Sequence, residues 1–147
     1  DALPLGLAAS EIMVVLPPGS TAITQGYTLV KRLAHNFGKR QFRLLLNRME
    51  SPEQAQAVAH NFAHTAERYL GVSVDYLGYI PLDERLTRAG HLHTSVVDAF
   101  PVAQSTSQFR KLADGLLRWP QPSSLGSVGG FMQRVIQGGR LVEACRR

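Results

Sequence analysis

Leu44-Leu45-Leu46-Asn47-Arg48-Met49, then a helical pattern from Ser51 to Leu70, then Tyr79-Ile80-Pro81-Leu82-Asp83: this succession decides the fold. The first and last segments are short apolar runs that stop abruptly at polar or turn-forming groups. With a helix between them they form a βαβ unit, two parallel strands joined by a crossover helix. In open α/β sheets, ligands sit outside the carboxyl ends of the strands. Asn47 and the Pro81–Asp83 turn fall at two such ends, on neighbouring strands. A carboxamide both accepts and donates hydrogen bonds, which suits the edge of a purine base.

The pattern extends outward in both directions. Glu11-Ile12-Met13-Val14-Val15-Leu16 reads as a strand buried on both faces and stopped by Pro17-Pro18. Ser20 or Thr21 is positioned to cap the next helix, whose apolar positions Ile23, Tyr27, Val30, Leu33 and Phe37 recur at helical spacing before Gly38 ends it. Phe42 to Leu46 is the second strand. Ser51-Pro52-Glu53-Gln54 carries a capping-box start with Pro at the first helical position, and Gly71 is the stop. A third strand lies within Val72 to Ile80. Asp83 starts a short helix that Gly90 ends. Ser105-Thr106-Ser107-Gln108 reads as another capping box, with Phe109, Leu112, Ala113 and Leu116 as the apolar stripe behind it. The expected architecture is α/β: a partial three-layer α/β/α parallel sheet over residues 1–118. A Pro/Ser/Gly-rich linker follows at 119–130, then a C-terminal amphipathic helix at 131–147.

Composition sets the outer limits. The chain has 147 residues, 44% hydrophobic and 18% charged, as expected of one globular domain with a real core. No apolar run approaches the ~18 residues that span a bilayer, and the apolar start lacks the basic leader of a secretory signal. Cys145 is the single cysteine, so no intrachain disulfide forms and a reducing cytosol is expected. Sixteen Lys+Arg against eleven Asp+Glu give a net charge of +5, which favours an anionic partner.

Four segments resemble, in order and spacing, the C-terminal half of MinD/ParA-type P-loop ATPases, and most of all the branch that regulates flagellar number and placement. They are Pro17-Pro18-Gly19-Ser20-Thr21-Ala22-Ile23-Thr24-Gln25-Gly26-Tyr27-Thr28-Leu29-Val30-Lys31, Leu46-Asn47-Arg48, Asp75-Tyr76-Leu77-Gly78-Tyr79-Ile80-Pro81-Leu82-Asp83, and Val96-Val97-Asp98-Ala99-Phe100-Pro101. The resemblance runs from about residue 10 to 118. It implies half of a P-loop NTPase fold in which Asn47, Arg48, Pro81, Leu82 and Asp83 frame adenine. Asn47 would hydrogen-bond the base, Arg48 would stack on it or contact ribose, and the 81–83 backbone would complete the frame with the Asp83 side chain structural. It further implies ATP with Mg²⁺ as cofactors of the full-length protein, a homodimer when ATP is bound, and a peripheral place on the inner membrane. A flagellar transcriptional activator is the implied partner, with no direct nucleic-acid contact.

The family's phosphate loop is absent. No Gly-x-x-x-x-Gly-Lys-[Ser/Thr] occurs, and Gly38-Lys39-Arg40 does not qualify. A fragment that lacks the catalytic half, with no ATPase activity of its own and no nameable catalytic residues, is therefore expected. Two other readings remain open on the sequence. One is a non-catalytic α/β interaction module in a short paralogue. The other is a different MinD/ParA branch, in cell-division siting, partition or cellulose secretion.

The tail puts Phe131, Val135 and Val142 together on a helical wheel, with Met132 at the border and Arg134, Arg140 and Arg147 off the face. A basic amphipathic helix of this kind suits a membrane surface, and the family carries one. Against it, Gly138-Gly139 costs about 2 kcal/mol of helix propensity, and docking on the domain or on a partner is the competing role. Other candidates fall away. His60 and His64 stand at i and i+4, a zinc-compatible spacing, but no further ligand pair accompanies them or His91 and His93. Cys145 has no histidine partner to activate it. No metal site is expected.

Overall fold

The computed structural model describes residues 11–118 and 135–136. Three strands, β1 (Met13–Leu16), β2 (Gln41–Met49) and β3 (Ser73–Pro81), form a parallel sheet in the order β1-β2-β3. The helices are α1 (Ser20–Phe37), α2 (Pro52–Leu70), α3 (Glu84–His91), α4 (Val96–Ala99) and α5 (Gln104–Leu117). Because the strands run in sequence order with right-handed crossovers, α1 and α2 fall on the same face of the sheet. The main core lies there. Val14, Leu16, Phe42, Leu44 and Leu46 from the strands meet Val30 and Leu33 of α1 and Ala55, Ala59 and Phe62 of α2. The small α2 residues bring that helix close over β2 and β3. On the far side of β3 lies α5, with Leu112 over Gly78.

Local chemistry explains most helix ends. Ser51 Oγ accepts from the Gln54 amide at 3.1 Å, as a capping box requires, while Gln54 Oε1 accepts from the Glu50 amide at 3.0 Å rather than from that of Ser51. Gly38 and Gly71 close α1 and α2 in the left-handed conformation, at φ 65° and 61°.

Several expectations need correction. α1 is capped by neither Ser20 nor Thr21: Gly19, at φ 115°, holds the N-cap position and Ser20 is already helical. α3 runs one residue past Gly90 to His91. α4 is an additional short helix, capped by Ser95. β1 is not buried on both faces. It is an edge strand with Met13 38% and Val15 49% exposed, because α1 covers only one side. Ser105 to Gln108 is not a capping box. α5 starts at Gln104, so Ser105 and Thr106 lie inside it, both fully buried, while Phe109 and Ala113 of the expected apolar stripe are exposed.

The pairing of β2 and β3 is irregular in a way that positions the strand ends. Register is constant as far as Leu44 opposite Tyr76. Leu45 then pairs with Gly78, so Leu77 is an extra residue in β3. Leu46 pairs with Tyr79 and Met49 with Pro81, so Asn47 and Arg48 together face Ile80. One bulge on each strand leaves both with nine residues and ends them flush. The second bulge turns Met49 into the core instead of Arg48, which takes φ 58° and points to solvent.

Candidate functional site at the carboxyl ends of β2 and β3

Asn47, Arg48, Pro81, Leu82 and Asp83 come together at one end of the sheet. Besides the Met49–Pro81 pairing, the Leu82 amide donates to the Met49 carbonyl at 2.9 Å, carrying the ladder one step past β3. Pro81 is buried and Leu82 is 55% exposed. Asn47 lies inside β2 rather than after it, in the alternate register that faces away from α1 and α2, and is half-buried. A strand-end Asn commonly caps the following turn through its side chain. Here the Asn47 carboxamide makes no hydrogen bond among the described residues, so its donor and acceptor stay available. Arg48 is exposed beside it. A non-glycine residue at positive φ is uncommon and strained, and such residues gather at ligand sites.

Asp83 has a different role. Its Oδ1 caps α3 by accepting from the Arg85 amide at 2.9 Å. Its Oδ2 accepts the Ser105 amide at 3.1 Å and the Ser105 hydroxyl at 2.7 Å, tying the start of α3 to the start of α5. Burial works to raise the Asp83 pKa. The Ser105 hydroxyl, the amides of Ser105 and Arg85 and the Arg85 charge outweigh it and hold the carboxyl below its ordinary range. Next to this latch, the Thr106 hydroxyl lies 3.1 Å from the Val96 carbonyl and 2.8 Å from that of Phe100, pinning α4 to α5. Sequence reading missed Ser105 and Thr106 as tertiary anchors because their spacing imitated a cap.

A groove of about 310 Å³ lies elsewhere, between α1 and α2, and none of the strand-end residues lines it. Among the described residues no group of three or more His, Cys, Asp or Glu side chains could hold a metal. His60 and His64 stack with ring centroids 6.3 Å apart.

With this geometry in place, comparison with known proteins supplies the relation. Over 131 residues the chain is 31% identical to the "Antiactivator FleN" of Pseudomonas aeruginosa. The chain is a relative of that antiactivator. The aligned part is 88% of this chain and 47% of the relative, so the chain spans about half the length of the curated protein it matches. The relation agrees with the resemblance read from the sequence, which is to a MinD/ParA-like flagellar regulator. No protein-family model matches the chain.

The linker at 119–130 and the tail residues Phe131, Met132, Arg134 and Val142 lie outside the described residues. Val135 and Ile136 are helical, with Ile136 exposed. No helix of the described residues is long and apolar enough to cross a membrane.

Proposed function

We propose that this chain is the adenine-side part of a MinD/ParA-like ATPase that regulates flagella. Asn47 reads the base edge, Arg48 covers the base or ribose, and the Pro81–Asp83 backbone frames the pocket. The observation that carries this reading is the half-buried Asn47 carboxamide, with no hydrogen-bond partner among the described residues, beside the Pro81 turn in a chain related to FleN. ATP with Mg²⁺ fits as far as these residues go: a carboxamide, a guanidinium and a backbone turn suit a base and ribose, and the phosphate chemistry belongs to a loop this chain does not carry. The intact protein dimerises around nucleotide, acts on a flagellar transcriptional activator, and sits on the inner membrane through residues 131–147.

The test is calorimetry with ATP and GTP on the intact ATPase. Asn47→Ala lowers ATP affinity by about 1–3 kcal/mol and flattens the preference for adenine, as loss of a base-specific hydrogen-bond pair requires. Unchanged affinity and unchanged preference overturn the adenine reading. For the tail, residues 1–147 co-sediment with anionic liposomes while residues 1–122 and Phe131→Glu do not. Equal sedimentation of all three removes the tail as the anchor.

A further inference from the structure

The turn after β3 contains one open peptide group. The Leu82 amide is held by the Met49 carbonyl at 2.9 Å, and the Asp83 carbonyl accepts the Leu86 and Thr87 amides of the first α3 turn. Between them, the Leu82 carbonyl and the Asp83 amide make no hydrogen bond among the described residues. Leu82 is 55% exposed, so this peptide lies open at the same strand ends as Asn47. Base choice depends on such a group. A carboxamide can turn end for end and offer either its oxygen or its nitrogen to a base. Adenine has an amino donor where guanine has a carbonyl acceptor, and Asn47 alone suits both. A backbone carbonyl or amide cannot exchange its polarity. It discriminates only if the chain holds it still, because a peptide free to rotate reopens the choice.

Two attachments bracket the open peptide. On one side is the last rung of the β2–β3 ladder. On the other is the Asp83 side chain, whose partner is remote in sequence. Its Oδ2 accepts both the amide and the hydroxyl of Ser105, at 3.1 and 2.7 Å, 22 residues away. Ser105 is fully buried, so water does not compete for these donors. It lies in the first turn of α5, which runs back along β3 and puts Leu112 over Gly78. The strand, the turn, the carboxylate and α5 therefore close a ring, with the open peptide on its rim.

We propose that Ser105, acting through Asp83, is a positioning residue that sets the base preference of the nucleotide pocket. It touches no ligand itself. Its two donors fix the rotation of Asp83, and with it the polarity that the peptide between Leu82 and Asp83 shows to the base. The inference rests on the adenine reading, and it adds a specificity determinant that lies behind the pocket.

The test is the ratio of ATP to GTP affinity in the intact ATPase, measured by calorimetry. Ser105→Ala keeps the amide donor and removes the hydroxyl. It is expected to lower the ratio by about fivefold or more, with GTP affinity within about twofold of wild type. Asp83→Ser keeps a side chain that caps α3 but is too short to span to Ser105, and the same loss is expected. The two changes together lose no more than either alone, since both break one link. Thr106→Val is the control. It loosens the start of α5 without touching Asp83, and leaves the ratio within about twofold of wild type. A merely structural role lowers both affinities alike and leaves the ratio where it was. That outcome in Ser105→Ala and Asp83→Ser overturns the proposal, and so does a Thr106→Val ratio that falls as far as that of Ser105→Ala. Should Ser105→Ala fail to fold, Asp83→Ser decides. A ratio that falls with Asn47→Ala and not with Ser105→Ala removes the positioning role and keeps the adenine reading. A wild-type protein with no preference for ATP removes both.

Discussion

Ser105 donates both its amide and its hydroxyl to one carboxylate oxygen, Oδ2 of Asp83, at 3.1 and 2.7 Å, across 22 residues of chain. Oδ1 of the same carboxylate caps α3. A single side chain thus fixes the turn after β3, the first turn of α3 and the first turn of α5. Asp83→Ala removes a helix cap and strands a fully buried serine, and should cost about 2–3 kcal/mol in urea denaturation.

The same latch gives a pH dependence. The Asp83 pKa is lowered on folding from an ordinary 3.8. The unfolded chain therefore takes up the proton first as pH falls. The contribution of Asp83 is complete above the ordinary value and is lost as pH falls through the lower folded value. Asp83→Asn should flatten the acid limb of the stability profile below pH ~4 and leave its neutral limb parallel to wild type. An unchanged acid limb would place the acid sensitivity in other carboxylates.

Thr106→Val tests a milder anchor. The Val96 and Phe100 carbonyls each also accept a backbone amide, from Phe100 and Ala103. Losing the Thr106 hydroxyl leaves neither bare, so the cost should be about 1 kcal/mol, below that of Asp83→Ala. Hydrogen exchange should rise locally in α4 and at the start of α5.

Gly26 is where α1 crosses β1. A Cβ there would lie 2.5 Å from Leu16 Cδ2 and 3.3 Å from Leu16 Cγ. Alanine favours the helix by about 1 kcal/mol, but it forces buried Leu16 out of its place at a cost of about 1–3 kcal/mol. Net destabilisation of Gly26→Ala is expected. Leu16→Val in the same chain should make the Gly26→Ala step less costly than in wild type, a coupling that a double-mutant cycle measures.

Arg48→Gly separates stability from function. At φ 58° the arginine carries left-handed strain that glycine does not. Its removal should stabilise the fold by roughly 1 kcal/mol and, in the intact ATPase, weaken ATP binding. Stabilisation without any loss of nucleotide affinity would make Arg48 a bulge residue only.

The sequence by itself determined the βαβαβ succession, the stops at Gly38 and Gly71 and the caps at Ser51 and Asp83. These depend on apolar spacing and on hydrogen bonds within one turn, so neighbouring residues suffice to specify them. It also brought Asn47 and the Pro81 turn to adjacent strand ends, since short crossovers leave few other topologies. Tertiary structure decided the rest. Strand pairing placed an extra residue in each of β2 and β3, sending Met49 inward and Arg48 outward; a strict alternation would have buried Arg48. Packing of α5 against the turn after β3 drew Ser105 and Thr106 inside, although their spacing copies an exposed cap. Coverage by α1 on one side left Met13 and Val15 exposed on a strand whose composition reads as buried on both faces. Each of these outcomes depends on what lies across the sheet or beyond the next helix, and no local run of residues encodes that.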